Sequence, residues 1–356
     1  MDFHSALAAP AWFAPVVLAF LTAIAGTIVL SFAAGGVRFL RYQPGENGPR
    51  LPAFMGGIAI FVGFIASAGS VGMLQDVRYL LWMMGLMFAV GLWSSVAHTR
   101  EGVEMAVEVI VTALLARLAG VELRNAGDLI GVGPLGLGIL SLPVTVVAMV
   151  ALTHALAMMD DLEGFRAAFA FTALAWITAA AASSGLEHQS RIALLLEGAL
   201  AGYLMCTVLL RGRSRARVFL GGAGGLMIGF ALGWLIVDLT QGPGRSVPPV
   251  AALFFVLLPL ADALSVALRQ FERGENPLER TENGLHHYLF ARGFSSAQAL
   301  VILVAASAAL GAVGYFGWRF GVPEPALFWL AFFGFLLYHA GIKEAWRKIR
   351  GVYFVL

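Results

Sequence analysis

An all-α integral membrane protein of about eleven spanning helices is predicted by three features of the sequence. Hydrophobic residues make up 60% of the 356 and charged residues only 12%, with a mean hydropathy of +0.84. Apolar runs about 20 residues long recur from one end to the other, the length a helix needs to cross a bilayer. Lys and Arg alternate sides, crowding every second connection. A soluble chain of this size needs far more charge to cover its surface, whereas lipid-facing helices need none because their backbone hydrogen bonds close internally.

The runs lie near 12–34, 54–74, 79–97, 103–120, 141–160, 165–184, 192–210, 218–240, 248–268, 297–318 and 325–342. The first lacks a basic leader and a small-residue cleavage site, so it reads as a retained helix. Between Glu122 and Pro143 the chain is too rich in glycine for a helix, and its pattern suits a short hairpin at the outer surface. No long polar stretch interrupts the series, which reads as one membrane domain, residues 1–356. An outside N-terminus places 17 of the 23 Lys and Arg residues in inner connections and 5 in outer ones, with Arg117 inside the fourth helix. The C-terminus is then cytoplasmic, in keeping with an odd number of spans.

This topology gathers the polar chemistry on one side. Inner loops at 35–53, 98–102, 160–166, 211–217 and 269–296 hold Asp160, Asp161 and Glu163, the Arg211, Arg213, Arg215 and Arg217 run, and His286 and His287. Asp262 lies near the inner end of the ninth helix, and Glu101, Glu104 and Glu108 open the fourth. Carboxylates at membrane depth are costly and face a wet cavity or a partner. Asp161, Glu101 and Arg166, each taken alone, read as solvated helix ends. Asp160 does not, since it follows a continuous apolar run with Glu163 three residues on, on the same helical face. Carboxylates that hold Mg²⁺ beside Arg and His that neutralise phosphate oxygens are what phosphoryl transfer requires. Taken alone, the arginine run reads more simply as a topology signal that also touches anionic lipid. His154, a single imidazole in an apolar helix, reads first as a hydrogen-bonded interior group. A net charge of +2 and the lack of a basic patch with interleaved aromatics speak against nucleic acid. The single cysteine, Cys206, leaves no disulfide framework and no thiolate metal site.

Several segments resemble, in order, the polyprenyl-phosphate N-acetylhexosamine-1-phosphate transferases. PLADALSVALRQFERGENPLERTENGLHHYLFARGFS looks like that family's ninth helix and histidine loop, through Pro259, Asp262, Arg269, Gly274, Pro277, His286 and His287. VFLGGAGGLMIGFALGWL is similar to its F-x-G-D-x-G-S segment, HALAMMDDLEGF to N-x-x-N-x-x-D-G-x-D-G, and PAFMGGIAIF to the P-x-x-G-G opening of its second helix. The resemblance implies a bacterial inner-membrane enzyme with a cytoplasmic active face. Such an enzyme moves a sugar-1-phosphate from a UDP-sugar to polyprenyl (undecaprenyl) phosphate with Mg²⁺ or Mn²⁺. It assigns Asp160 and Glu163 to the metal, His286 and His287 to the pyrophosphate, and the Arg211–Arg217 run to anionic substrate, with Asp262 orienting the histidine loop.

The departures are specific. Ser94 and Ser95 stand where the family has paired aspartates, Gly222 replaces the G-D aspartate, His154 and Ala157 replace two asparagines, and Gly284 replaces the leading histidine. A hydroxyl or a missing side chain cannot supply charge to hard Mg²⁺. A second reading is therefore a catalytically silent homologue that binds polyprenyl-phosphate lipid or a partner transferase and serves as an assembly or regulatory subunit; a homodimer is compatible with either reading. A third, a transporter with Glu104, Glu108 and Asp160 as a proton path, lacks the repeats and paired broken helices of that class.

Overall fold

A computed structural model describes residues 10–36, 41–42, 51–52, 55–97, 101–159, 164–209, 220–242, 247–277 and 283–353. Each predicted run carries a helix: α1 Pro10–Gly36, α2 Met55–Ser70, α3 Arg78–Ala97, α4 Glu101–Ala119, α5 Ser141–Met158, α6 Phe165–Ser183, α7 Glu187–Leu209 and α8 Gly221–Thr240. The ninth run is α9 Pro249–Leu253 and α10 Leu257–Glu272, joined by a 3₁₀ turn at Phe254–Val256. A short α11, Leu285–Ala291, precedes α12 Ser296–Arg319 and α13 Glu324–Tyr353. Among the described residues, 8 helical stretches are long and apolar enough to cross a membrane, with two shorter apolar helices at Gly56–Ser70 and Arg78–Ser94. The chain is an all-α integral membrane protein. The only strands among the described residues are the two-residue pair Arg41–Tyr42 and Leu51–Pro52.

The hydrophobic sequence of α8 is even around its circumference because the helix is central: nearly every residue from Ala223 to Thr240 is buried. Helices α3 and α5 pack directly on it, and small residues set the spacing. A Cβ at Gly91 would come within 2.5 Å of the Ala223 backbone, and one at Gly57 within 2.9 Å of Gly224. Without a hydrophobic drive between helices in lipid, such close backbone approach supplies the packing. By contrast α12 and α13 show much apolar surface, including Phe316, Phe333 and Leu337, as lipid-facing helices do.

The break in the ninth run follows from Pro259. In the first turn of α10 its missing N–H costs nothing, and the turn before it tightens to 3₁₀. Past the break the helix is amphipathic, with Asp262, Ser265, Arg269 and Glu272 along one side. The Glu122–Pro143 segment forms the expected hairpin, with an Asn125–Gly136 bridge, although its last residues already begin a 3₁₀ turn and α5. Gln241, just past α8, accepts from the Asn125 amide at 3.1 Å, so the hairpin covers the end of the bundle opposite the α8 N-terminus.

Candidate functional site

At the other end of the bundle the histidine loop is tied down by α10 and α13. Asp262, buried, accepts the Leu285 amide at 3.1 and 3.0 Å through its two oxygens, which fixes the start of α11. The Tyr338 hydroxyl donates to the same carboxylate at 2.7 Å. Arg269, also buried, donates to the Asn283 carbonyl at 2.9 Å and to that of Ser265 at 3.1 Å. The polar side of α10 thus meets α13 in register: Asp262 with Tyr338, Ser265 with His339 Nδ1 at 3.0 Å, and Glu272 with Lys343 at 2.7 Å. Sequence reading missed Tyr338, His339 and Lys343. The available signal was the polar Tyr338–His339 step in an otherwise apolar α13, matched in parallel by the acidic and hydroxyl side of α10.

The same anchor sets His286 and His287, whose ring centroids lie 4.0 Å apart. His286 also lies against Phe165, at the start of α6, with centroids 6.0 Å apart, and Phe290 meets Phe165 and both imidazoles edge-on. His286 is buried, and its Nε2 has no hydrogen-bond partner among the described residues. Burial, reinforced by the positive potential of His287 and Arg166, pushes its pKa from the ordinary 6.5 down to about 3. Near neutral pH it is a neutral imidazole.

This has a consequence for stability. Between pH 3 and 6.5 the unfolded chain takes up a proton at this position that the fold refuses. The folded state therefore loses ground as pH falls below 6.5, while above it His286 contributes no slope. The thermal midpoint of the purified protein is expected to drop between pH 7 and pH 5, and His286→Gln to flatten that drop. An unchanged pH profile in the variant contradicts the assignment.

Arg166 corrects a sequence expectation. It is not a solvated helix end but 6% exposed, with its guanidinium bonded to the carbonyls of Ala157, Met159 and Gly221. The carbonyls of Ala157 and Met159 end α5, where orphan backbone acceptors meet a cation favourably, and that of Gly221 opens α8. Asp160, Asp161 and Glu163, and the Arg211–Arg217 run, lie outside the described residues, as does the Glu101 side chain.

On the α3–α4–α5 side, the Ser94 hydroxyl donates to Glu104 Oε2 at 2.6 Å, both residues buried. One turn further along α4, fully buried Glu108 pairs with His154 Nδ1 at 3.3 Å. The position at which the resemblance placed paired aspartates therefore carries a serine bonded to a carboxylate from the next helix. Sequence reading placed Glu104 at the inner end of α4 but not against Ser94. His154, expected as an interior hydrogen-bonded group, is partly buried, with its Nδ1 facing the Glu108 carboxyl. Among the described residues no three His, Cys, Asp or Glu side chains come together as a metal site.

A polytopic all-α membrane protein that collects carboxylates, imidazoles and a buried guanidinium at one end of its bundle is thereby defined. The sequence profile of glycosyl transferase family 4 matches residues 58–240, just over half the chain, and the chain belongs to that family. It is 29% identical to the undecaprenyl-phosphate alpha-N-acetylglucosaminyl 1-phosphate transferase of Yersinia pestis over 298 residues, 83% of this chain and 81% of that protein. The protein of the same name from Salmonella typhi is 28% identical over 304 residues, 83% of this chain and 81% of its own. That from Haemophilus influenzae is 27% identical over 299 residues, 84% of each chain.

Proposed function

We propose that this chain transfers a sugar-1-phosphate from a UDP-sugar to polyprenyl phosphate at the cytoplasmic face of a bacterial inner membrane. The observation that carries the reading is the Asp262 anchor, which holds the His286–His287 pair against Phe165 at the start of α6. In the reaction an oxygen of the lipid phosphate attacks the β-phosphorus of the donor. A new P–O–P bond forms to the sugar-phosphate, the α–β bond breaks, and UMP leaves with the electron pair. The lipid phosphate is already ionised near neutral pH, so the step asks chiefly for positioning and charge neutralisation.

The residues divide these tasks. His287, half-exposed, contacts the diphosphate, and neutral His286 offers a donor or acceptor beside it without a desolvated charge. The Arg211–Arg217 run draws anionic substrate to the surface. Asp160 and Glu163 would hold Mg²⁺ or Mn²⁺, an ion that supplies charge to phosphate oxygens. The donor set fits, because Mg²⁺ takes one or two carboxylates and completes its shell with phosphates and water. Ser94 and Gly222 add no carboxylate of their own, and Glu104 brings one to Ser94.

Detergent-purified protein given UDP-N-acetylglucosamine, undecaprenyl phosphate and Mg²⁺ is expected to label the lipid. Asp160→Asn is expected to lower the rate by about 10²-fold or more, as for loss of a group that neutralises charge in the transition state. Full activity in Asp160→Asn would remove that residue from the site. The silent-homologue reading is favoured by Ser94, Ser95 and Gly222, and it predicts lipid binding with no labelled product for any UDP-sugar tried.

A further inference from the structure

We propose that Arg166 is a positioning residue, a clamp that ties the end of α5 to the start of α8 and sets the first turn of α6, whose Phe165 lies against the histidine loop. The inference rests on the reading that Asp160 and Glu163 hold the metal ion. Its basis in geometry is independent of that reading.

The guanidinium reaches three backbone acceptors with three different nitrogens. Nε donates to Met159, Nη2 to Ala157 at 3.0 Å, and Nη1 to Gly221, 55 residues on, at 2.8 Å. Two of these carbonyls belong to the last turn and cap of α5, the third to the first residue of α8. The path back is made possible by Gly164, whose φ of +83° is left-handed and open to glycine at little cost. Room for the side chain is cut by the small residues that open α8. A Cβ at Gly225 would sit 3.3 Å from Nη1 and 3.4 Å from Cδ. The preceding residue, Phe165, lies against His286, so one turn of α6 touches all three partners.

The chain leaves α5 at a carbonyl that Arg166 holds and returns at Gly164, two residues before it. The bond from Arg166 to Met159 thus closes a loop of seven residues that contains Asp160 and Glu163. One side chain thus fixes Met159, where α5 ends, to the first turn of α6. A lysine cannot replace it, because a single ammonium on a flexible stem lacks the planar fork that meets three acceptors at once.

Arg166→Lys and Arg166→Met separate the clamp from a merely structural role. Hydrogen exchange at 155–168 and 284–291, thermal midpoint, the apparent Mn²⁺ requirement, and kcat and KM for the UDP-sugar are compared with wild type. In Arg166→Lys the clamp predicts exchange about tenfold faster in both segments and an Mn²⁺ requirement raised about tenfold. It predicts kcat lower by about 10²-fold with KM for the UDP-sugar within about threefold, since misplacement of about 1 Å costs that much in rate. A structural role alone would lower the midpoint and leave the exchange pattern, Mn²⁺ requirement and kcat of the folded fraction unchanged, which overturns the proposal. If wild type transfers nothing, the transferase reading fails, and the exchange comparison, which needs no substrate, still decides the clamp.

Discussion

Replacing Asp262 by alanine is expected to lower sugar-1-phosphate transfer by about 10²- to 10³-fold, with a smaller loss of overall stability. The carboxylate is the acceptor for the Leu285 amide and for the Tyr338 hydroxyl. Its removal leaves two part-buried donors without their partner, and solvent access keeps the cost of each near the low end of about 1–3 kcal/mol. The consequence falls on α11, whose 7 residues are too few to hold a helix without tertiary anchors. His286 and His287 then lose the frame that fixes them, and with it the contact to the donor diphosphate proposed for them. Tyr338→Phe removes one donor and spares the Leu285 bond, so it should cost less than Asp262→Ala in rate. Initial transfer rates for the two variants, with hydrogen exchange across 284–291, check the order. An Asp262→Ala enzyme of wild-type rate would detach the histidine loop from catalysis.

The second large effect concerns stability. Glu108 is fully buried, and His154 Nδ1 lies 3.3 Å from it. His154 is 21% exposed, so the loss is that of a contact to one buried polar group, and removing either partner is expected to cost about 1–3 kcal/mol. His154→Ala is the more damaging, because it leaves the fully buried Glu108 side chain without the polar neighbour it faces. Replacing both residues by leucine removes the desolvation problem together with the attraction, and should recover most of the loss. The coupling is read from a double-mutant cycle of thermal midpoints in detergent. Single variants that melt like wild type would show that the pair contributes nothing.

The helices were legible because runs of apolar residues about 20 long have few other solutions in a chain this poor in charge. The coupling of Asp262 to the histidine loop was also legible, through the ordered motifs that carry the resemblance, and the structure supplies its bond to Leu285. Arg166 was not. An arginine after a glycine at a helix start looks solvated, and its burial depends on Gly221, distant in sequence and brought near by packing of α8. Tyr338, His339 and Lys343 were hidden for the same reason, since their partners on α10 become apparent only when two parallel helices are set in register. Ser94 shows the limit most directly. Expected as a lost acid, it is a hydroxyl bonded to the Glu104 carboxylate from the next helix.

The central claim is that the group moved is a sugar-1-phosphate and the acceptor a polyprenyl phosphate. Its most direct test uses a UDP-sugar labelled with ³²P at the β-phosphate, undecaprenyl phosphate and the purified protein in proteoliposomes with Mg²⁺. The account predicts label in the lipid extract, matched mole for mole by UMP. Sugar transferred without the label, with UDP released, or no transfer to lipid from any UDP-sugar, would contradict it.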